Sequence, residues 1–119
     1  METLNLELYI QQLSPAQHRM FNEIKAVIES VEPSVKLILF VKQPYFYCPQ
    51  YESIKPHFRP SVMLSFFDDH VNIFATSIRQ YEQDLKDYKL TKKYNLQIDL
   101  DQKLPVEVLS TIFKESLHP

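Results

Sequence analysis

Glycine is absent from all 119 residues of the chain. Average usage would supply about eight, placed where the backbone turns through positive φ or lies close against a phosphate. The absence excludes the glycine-rich phosphate cradle, the dinucleotide fingerprint, the nucleophile elbow and the EF-hand loop, each of which needs glycine geometry at a fixed place. Cysteine is nearly absent too. Cys48 stands alone, so no internal disulfide can form, and a reducing compartment, the cytoplasm, is expected. No apolar run approaches the ~18 residues of a membrane span, and Met1-Glu2-Thr3 is acidic where a secretory signal would be basic. An excess of positive charge is also missing: the net charge of −2 gives no general pull toward nucleic-acid phosphates or an anionic membrane, so neither is an expected partner.

What is present suits one globular domain over residues 1–119. Hydrophobic residues make up 45% and charged residues 24%, and a chain of this length can bury about 65% of the surface its unfolded form exposes, enough for a core without staples. Ser14-Pro15-Ala16-Gln17 combines a serine cap, a proline at the first helical position and a glutamine three residues after the cap, which predicts a helix start. Met20, Phe21, Ile24, Val27, Ile28 and Val31 follow on one stripe until Pro33. Leu6, Tyr9, Ile10 and Leu13 predict a shorter helix before it, folded back at Ser14 into a helical hairpin.

Leu37 to Val41, bounded by lysines, predicts a strand covered on both faces, ended by Pro44 because proline cannot donate to a central ladder. Gln43 to Pro60 carries four prolines and five aromatics without a regular period, which suggests a long ordered loop or an irregular edge hairpin. Ser61–Phe67 and His70–Ala75 predict two strands joined at Asp68-Asp69. Ser77-Ile78-Arg79-Gln80 repeats the capping-box pattern and predicts a helix with Ile78, Tyr81, Leu85 and Tyr88 on one face. Leu96, Ile98 and Leu100 alternate with polar residues as an amphipathic strand, and Pro105 opens a last helix buried through Val108, Leu109, Ile112, Phe113 and Leu117. The order has too few βαβ units for a doubly wound sheet. It predicts an α+β fold, a small, mainly antiparallel sheet packed with the helical hairpin and two further helices.

In that order the chain resembles the YdhG-like family, bacterial α+β domains of unknown function, some of which are called frataxin-like iron chaperones. The pieces that carry the likeness are Tyr9-Ile10 with Leu13-Ser14-Pro15, Gln43-Pro44-Tyr45-Phe46, His70-Val71-Asn72-Ile73-Phe74, Tyr88-Lys89-Leu90-Thr91-Lys92 and Leu104-Pro105. Two positions depart from the pattern: Gln43 and Lys93 stand where members usually carry glycine. The stretch from Cys48 to Arg59 is also longer than the family's short turn, and long loops inside compact domains are often functional.

The resemblance implies iron chaperoning as the alternative role, delivery of iron to a partner protein, with Asp68, Asp69, Glu82 and Asp84 as ligands. Iron is then the only metal or cofactor implied. The residues themselves show no dense carboxylate ridge of the kind a hard cation prefers, since lysines interrupt the acidic positions, and a solvated helix face accounts for them better. Cys48, His57 and His70 with Asp68 and Asp69 match no metal-ligand spacing, and no spacing pairs Cys48 with a base, so an enzyme is not expected. The favoured reading is a non-enzymatic binding module. Pro44, Tyr45 and Phe46 form an aromatic wall, His70 a rim, and Lys89, Thr91 and Lys92 a grip for a small anionic ligand or an acidic protein surface. The aromatics of residues 43–60 also make a homodimer contact an expectation.

Overall fold

The computed structural model describes the backbone of residues 2–119 and the side chains from Asn5 onward. Three α-helices, α1 (Glu2–Gln11), α2 (Pro15–Val31) and α3 (Val106–Leu117), accompany six strands, β1 (Lys36–Phe40), β2 (Gln43–Tyr47), β3 (Ser61–Phe66), β4 (His70–Ala75), β5 (Lys89–Leu90) and β6 (Leu96–Asp99). The strands form one sheet in the order β1-β2-β3-β4-β6-β5, and every neighbouring pair is antiparallel. This is the α+β architecture expected. No helix among the described residues is long and apolar enough to cross a membrane.

The capping box forms as the residue types require: Ser14 Oγ accepts from Gln17 N–H and Gln17 Oε1 accepts from Ser14 N–H. The apolar stripe of α2 lands in the core, with Met20, Phe21, Ile24, Val27 and Ile28 buried. It packs with Leu109, Ile112, Phe113 and Leu117 of α3 and with one face of the sheet, namely Phe46, Val62, Leu64, Val71, Ile73, Leu96 and Ile98. Because side chains alternate along a strand, the intervening residues Tyr45, Tyr47, Met63, Asn72, Phe74 and Gln97 face the other side, where no α-helix packs.

Two expectations are corrected. Gln43 to Pro60 does not begin as a loop, because β1 continues through a two-residue turn into β2, an inner strand between β1 and β3. Pro44 is tolerated there because the ladder to β3 starts one residue later, at Tyr45–Met63, so no donor is demanded of it. The predicted helix after Ser77 is instead two 3₁₀ segments, Thr76–Tyr81 and Gln83–Leu85. Ser77 does not cap it. Its hydroxyl donates to the Ile112 carbonyl of α3, and its N–H donates to Ser116 Oγ. That buried tie to α3 outweighs a local cap, while Ile78 and Leu85 still reach the core as their spacing predicted.

The turn between β1 and β2 holds Val41 at φ 47° and Lys42 at φ 65°, the left-handed pair that a type I′ hairpin demands and that asparagine and glycine normally supply. A β-branched residue is disfavoured there, and Val41 is 60% exposed, so its side chain returns little packing. Replacing Val41-Lys42 by Asn-Gly should stabilise the protein by about 1–2 kcal/mol, read as a rise of roughly 4 °C or more in Tm. An unchanged or lower Tm would show that the turn carries no strain.

Candidate functional site

The helix-free face of the sheet is concave because two segments fold against it. The first is residues 49–60, with 3₁₀ turns at Pro49–Tyr51 and Pro56–Phe58. It is tied to β1 and β2 by polar contacts: Tyr45 Oη donates to the Pro56 carbonyl at 2.6 Å, Tyr47 Oη donates to Glu52 Oε1 at 2.8 Å, and Lys36 Nζ meets the same oxygen at 2.6 Å. Arg59 lays its guanidinium 4.3 Å from the centre of the Tyr47 ring and donates to the Ile54 and Glu52 carbonyls. Lys36, and then Tyr47, hold the Glu52 carboxyl below its ordinary range. Burial, reinforced by donation to Glu52, raises the Tyr47 phenol.

The second segment is the turn of residues 91–95. Thr91 N–H donates to the Asn95 carbonyl, Tyr94 N–H donates to the Thr91 carbonyl, and Thr91 Oγ1 accepts from Asn95 N–H. Tyr94 adopts φ 60°. The guanidinium of Arg79 lies 5.2 Å from the centre of the Tyr94 ring, a cation–π geometry that positions the cation.

Between these segments lies a cavity of about 450 Å³. Its apolar wall is Phe40, Tyr45, Met63, Phe74 and Tyr94, and its polar groups include His57, Arg79 and Lys93. Phe40 sits edge-on to Tyr45 at 5.2 Å and to His57 at 5.0 Å. Among the described residues, neither Arg79 nor Lys93 is held in an ion pair. On the same face, the side-chain oxygens of Gln43 and Asn72 are buried and accept no hydrogen bond within the protein. Neither residue lines the cavity.

The structure brings together only part of the predicted site. Tyr45 lines the cavity, but Phe46, its neighbour in sequence, points to the other face of the sheet and is fully buried in the helix-side core. Pro44 is buried on β2 and does not line the cavity. His70 lies about 13 Å from Phe74 along β4, stacked on Phe67 at 4.6 Å with its Nδ1 2.6 Å from Asp69 Oδ1. That contact holds the Asp69 carboxyl below its ordinary range. Lys89 is on the edge strand β5, four strand positions and roughly 19 Å from β2, in a groove with Asp68, Asp69, Asp99 and Asp101. Thr91 braces its own turn, and Lys92 is exposed outside the cavity lining. The lysine-bearing turn does reach the aromatic wall, but through Lys93.

The carboxylates assigned to iron are likewise dispersed. Asp68 and Asp69 belong to the β3–β4 turn, whereas Asp84 lines a different groove with Tyr81 and Pro105, and Glu82 stands exposed between the two 3₁₀ segments. Among the described residues these four do not gather three donor atoms within 4.8 Å. Cys48 is buried, and burial, followed by the nearby Glu32 carboxylate, pushes its thiol up to about 11. A thiol that ionises so reluctantly is a poor nucleophile.

Sequence reasoning missed Phe40, His57, Met63, Phe74, Arg79, Lys93 and Tyr94. A signal for two of them was present: in β3 and β4 the residues alternating with Val62, Leu64, Val71 and Ile73 include the large apolar Met63 and Phe74, and bulky apolar side chains on a strand's second face mark a face that is also covered or occupied.

These features define a small α+β domain whose antiparallel sheet is packed by helices on one face and cupped on the other. A solved structure shares that fold: the DUF1801-family protein YdhG of Bacillus subtilis superposes with a TM-score of 0.69 over 92% of this chain and 84% of that one, at 17% identity. The fold is therefore YdhG-like, as the scattered sequence pieces suggested. No protein-family model and no curated protein matches the chain.

Proposed function

We propose that this chain is a non-enzymatic binding module whose site is the cavity on the helix-free face, and that it takes a small anionic ligand with an apolar or aromatic body. The observation that supports this reading is the pairing of a five-residue apolar wall with Arg79 and Lys93 in one concavity of about 450 Å³. That volume lies in the range of small-molecule sites, which are mostly apolar with few convergent polar groups. Arg79, braced by Tyr94, offers a planar fork suited to a carboxylate or phosphate. Phe40, Tyr45, Phe74 and Tyr94 offer ring faces and edges to the body of the ligand.

The anionic ligand of the sequence reading is retained and its grip is reassigned from Lys89, Thr91 and Lys92 to Arg79 and Lys93. Iron delivery has less support, because the four carboxylates proposed for it do not form one cluster. Amide NMR with phenyl phosphate as probe tests the reading. Saturable shifts should gather at Arg79, Lys93, Tyr94 and Asn95, and phenol should produce much weaker ones. Shifts confined to Lys89 and the β3–β4 turn, or none at millimolar probe, would overturn it.

A further inference from the structure

On the helix side of the sheet, at the end of the molecule where α2 and α3 both finish, Glu32, Cys48 and His118 converge, with one ligand atom from each lying within 4.8 Å of the others. The geometry points to a zinc-binding site made by these three side chains. Each is placed by a different element: Glu32 is the C-cap of α2, Cys48 follows β2, and His118 is the C-cap of α3.

The convergence is on one point. Cys48 Sγ lies 3.7 Å from His118 Nε2, and the same Nε2 contacts Glu32 Oε1. A nucleophile–base relay would use the two ring nitrogens separately, one toward the thiol and one toward the carboxylate. Three donors facing a shared centre are what a metal requires. Tetrahedral zinc, bonded at about 2.3 Å to sulfur and about 2.0 Å to nitrogen, separates those two atoms by about 3.5 Å, close to the spacing present. Glu32 needs only to draw back from hydrogen-bonding contact to leave room for the ion.

The surroundings favour a cation independently of these side chains. The helices α2 and α3, of 17 and 12 residues, both present their C-terminal ends here, each carrying roughly half a negative charge on unsatisfied carbonyls. The Leu117 carbonyl oxygen lies 3.8 Å from Cys48 Sγ. Thiolate with imidazole and one carboxylate suits zinc better than a hard cation, and the divalent series places zinc above ferrous iron at nitrogen and sulfur donors. Binding would release the Cys48 proton. His118, the exposed member of the three, also borders a groove of about 400 Å³ whose lining includes Val31, Ser110, Thr111, Lys114 and Glu115, so water or a partner's group can approach from the imidazole side as the fourth ligand. Because Cys48 and the helix ends lie on the face opposite the aromatic cavity, this site stands or falls separately from the anion site.

The test is cobalt(II) and zinc titration of the full chain under reducing, anaerobic conditions. One equivalent of cobalt should produce tetrahedral d–d bands with thiolate-to-cobalt charge transfer, and zinc should displace it. Cys48→Ser should remove the charge-transfer band. His118→Ala changes an exposed residue beyond the last turn of α3 and should keep the far-ultraviolet circular dichroism unchanged, yet weaken zinc binding by more than the roughly 10–100-fold that loss of an outer-shell partner costs. A cobalt spectrum without charge transfer, wild-type zinc affinity in His118→Ala, or tighter binding of ferrous iron than of zinc would each overturn the assignment.

Discussion

Phe46→Ala should destabilise the protein by about 3–5 kcal/mol, the usual cost of emptying a fully buried phenylalanine site. Phe46 is 0% exposed and sits in the helix-side cluster with Val62, Phe21 and Phe113. Its neighbours Tyr45 and Tyr47 face the other side of β2 and so cannot move into the space left behind. Total stabilities of small domains run about 5–15 kcal/mol, so the loss would consume a large share. Urea denaturation measures it as a fall in midpoint at unchanged slope. Phe40→Ala, half-buried on the cavity side, should cost much less. A Phe46→Ala loss of about 1 kcal/mol or below, well short of the core range, would mean that the face assignment of β2 is wrong and that Phe46 is free to serve as a binding wall after all.

Arg79→Glu should leave the fold nearly intact and weaken phenyl phosphate binding by about tenfold to a hundredfold. The estimate follows from the roughly 1.5–3 kcal/mol of a hydrogen bond to a charged group, with reversal of the charge adding repulsion. Arg79 is exposed, and surface substitutions usually alter stability by less than about 0.5 kcal/mol. The cation–π contact with Tyr94 adds a modest further loss. Arg79→Lys should retain part of the affinity, because it keeps the charge and loses the planar fork. Lys89→Glu serves as the contrast: Lys89 sits among four aspartates on the far edge, and its reversal should not change binding. Equal losses in Arg79→Glu and Lys89→Glu would indicate long-range charge attraction in place of a built site.

The elements that follow from local chemistry were legible in the sequence. The cap at Ser14, the stripe of α2, the β3–β4 hairpin, the alternation of β6 and the buried face of α3 all depend on residue types within a few positions of one another. The inner strand β2 was hidden because Pro44 is a strand terminator by default, and only the register with β3, which starts at Tyr45, shows why it is harmless. The 3₁₀ segments after Ala75 were hidden because Ser77 answers to Ile112 and Ser116, 35 and 39 residues away.

The candidate site was half legible for the same reason. An aromatic wall meeting a cationic turn was a sound pairing of chemistries, and Tyr45 and the turn after β5 do meet. Which aromatics face the cavity, however, is decided by the two-residue period of β2, which sends Phe46 the other way. Which cations reach it is decided by the tight 91–95 turn, which presents Lys93 and aligns Tyr94 beneath Arg79. The cluster of Glu32, Cys48 and His118 spans 86 positions from its first member to its last. No spacing rule could have found it before α2 and α3 were known to end side by side.

The methionine methyls offer the most direct measurement. The chain has three methionines, of which Met63 lines the cavity and Met20 is buried in the helix-side core. With 13C-labelled methyl groups and phenyl phosphate titrated in, the Met63 signal should move saturably and show intermolecular contacts to the phenyl protons, while Met20 stays in place. A Met63 signal that does not respond at saturating probe, or a Met20 signal that moves as far as Met63, would contradict a ligand site on the helix-free face of the sheet.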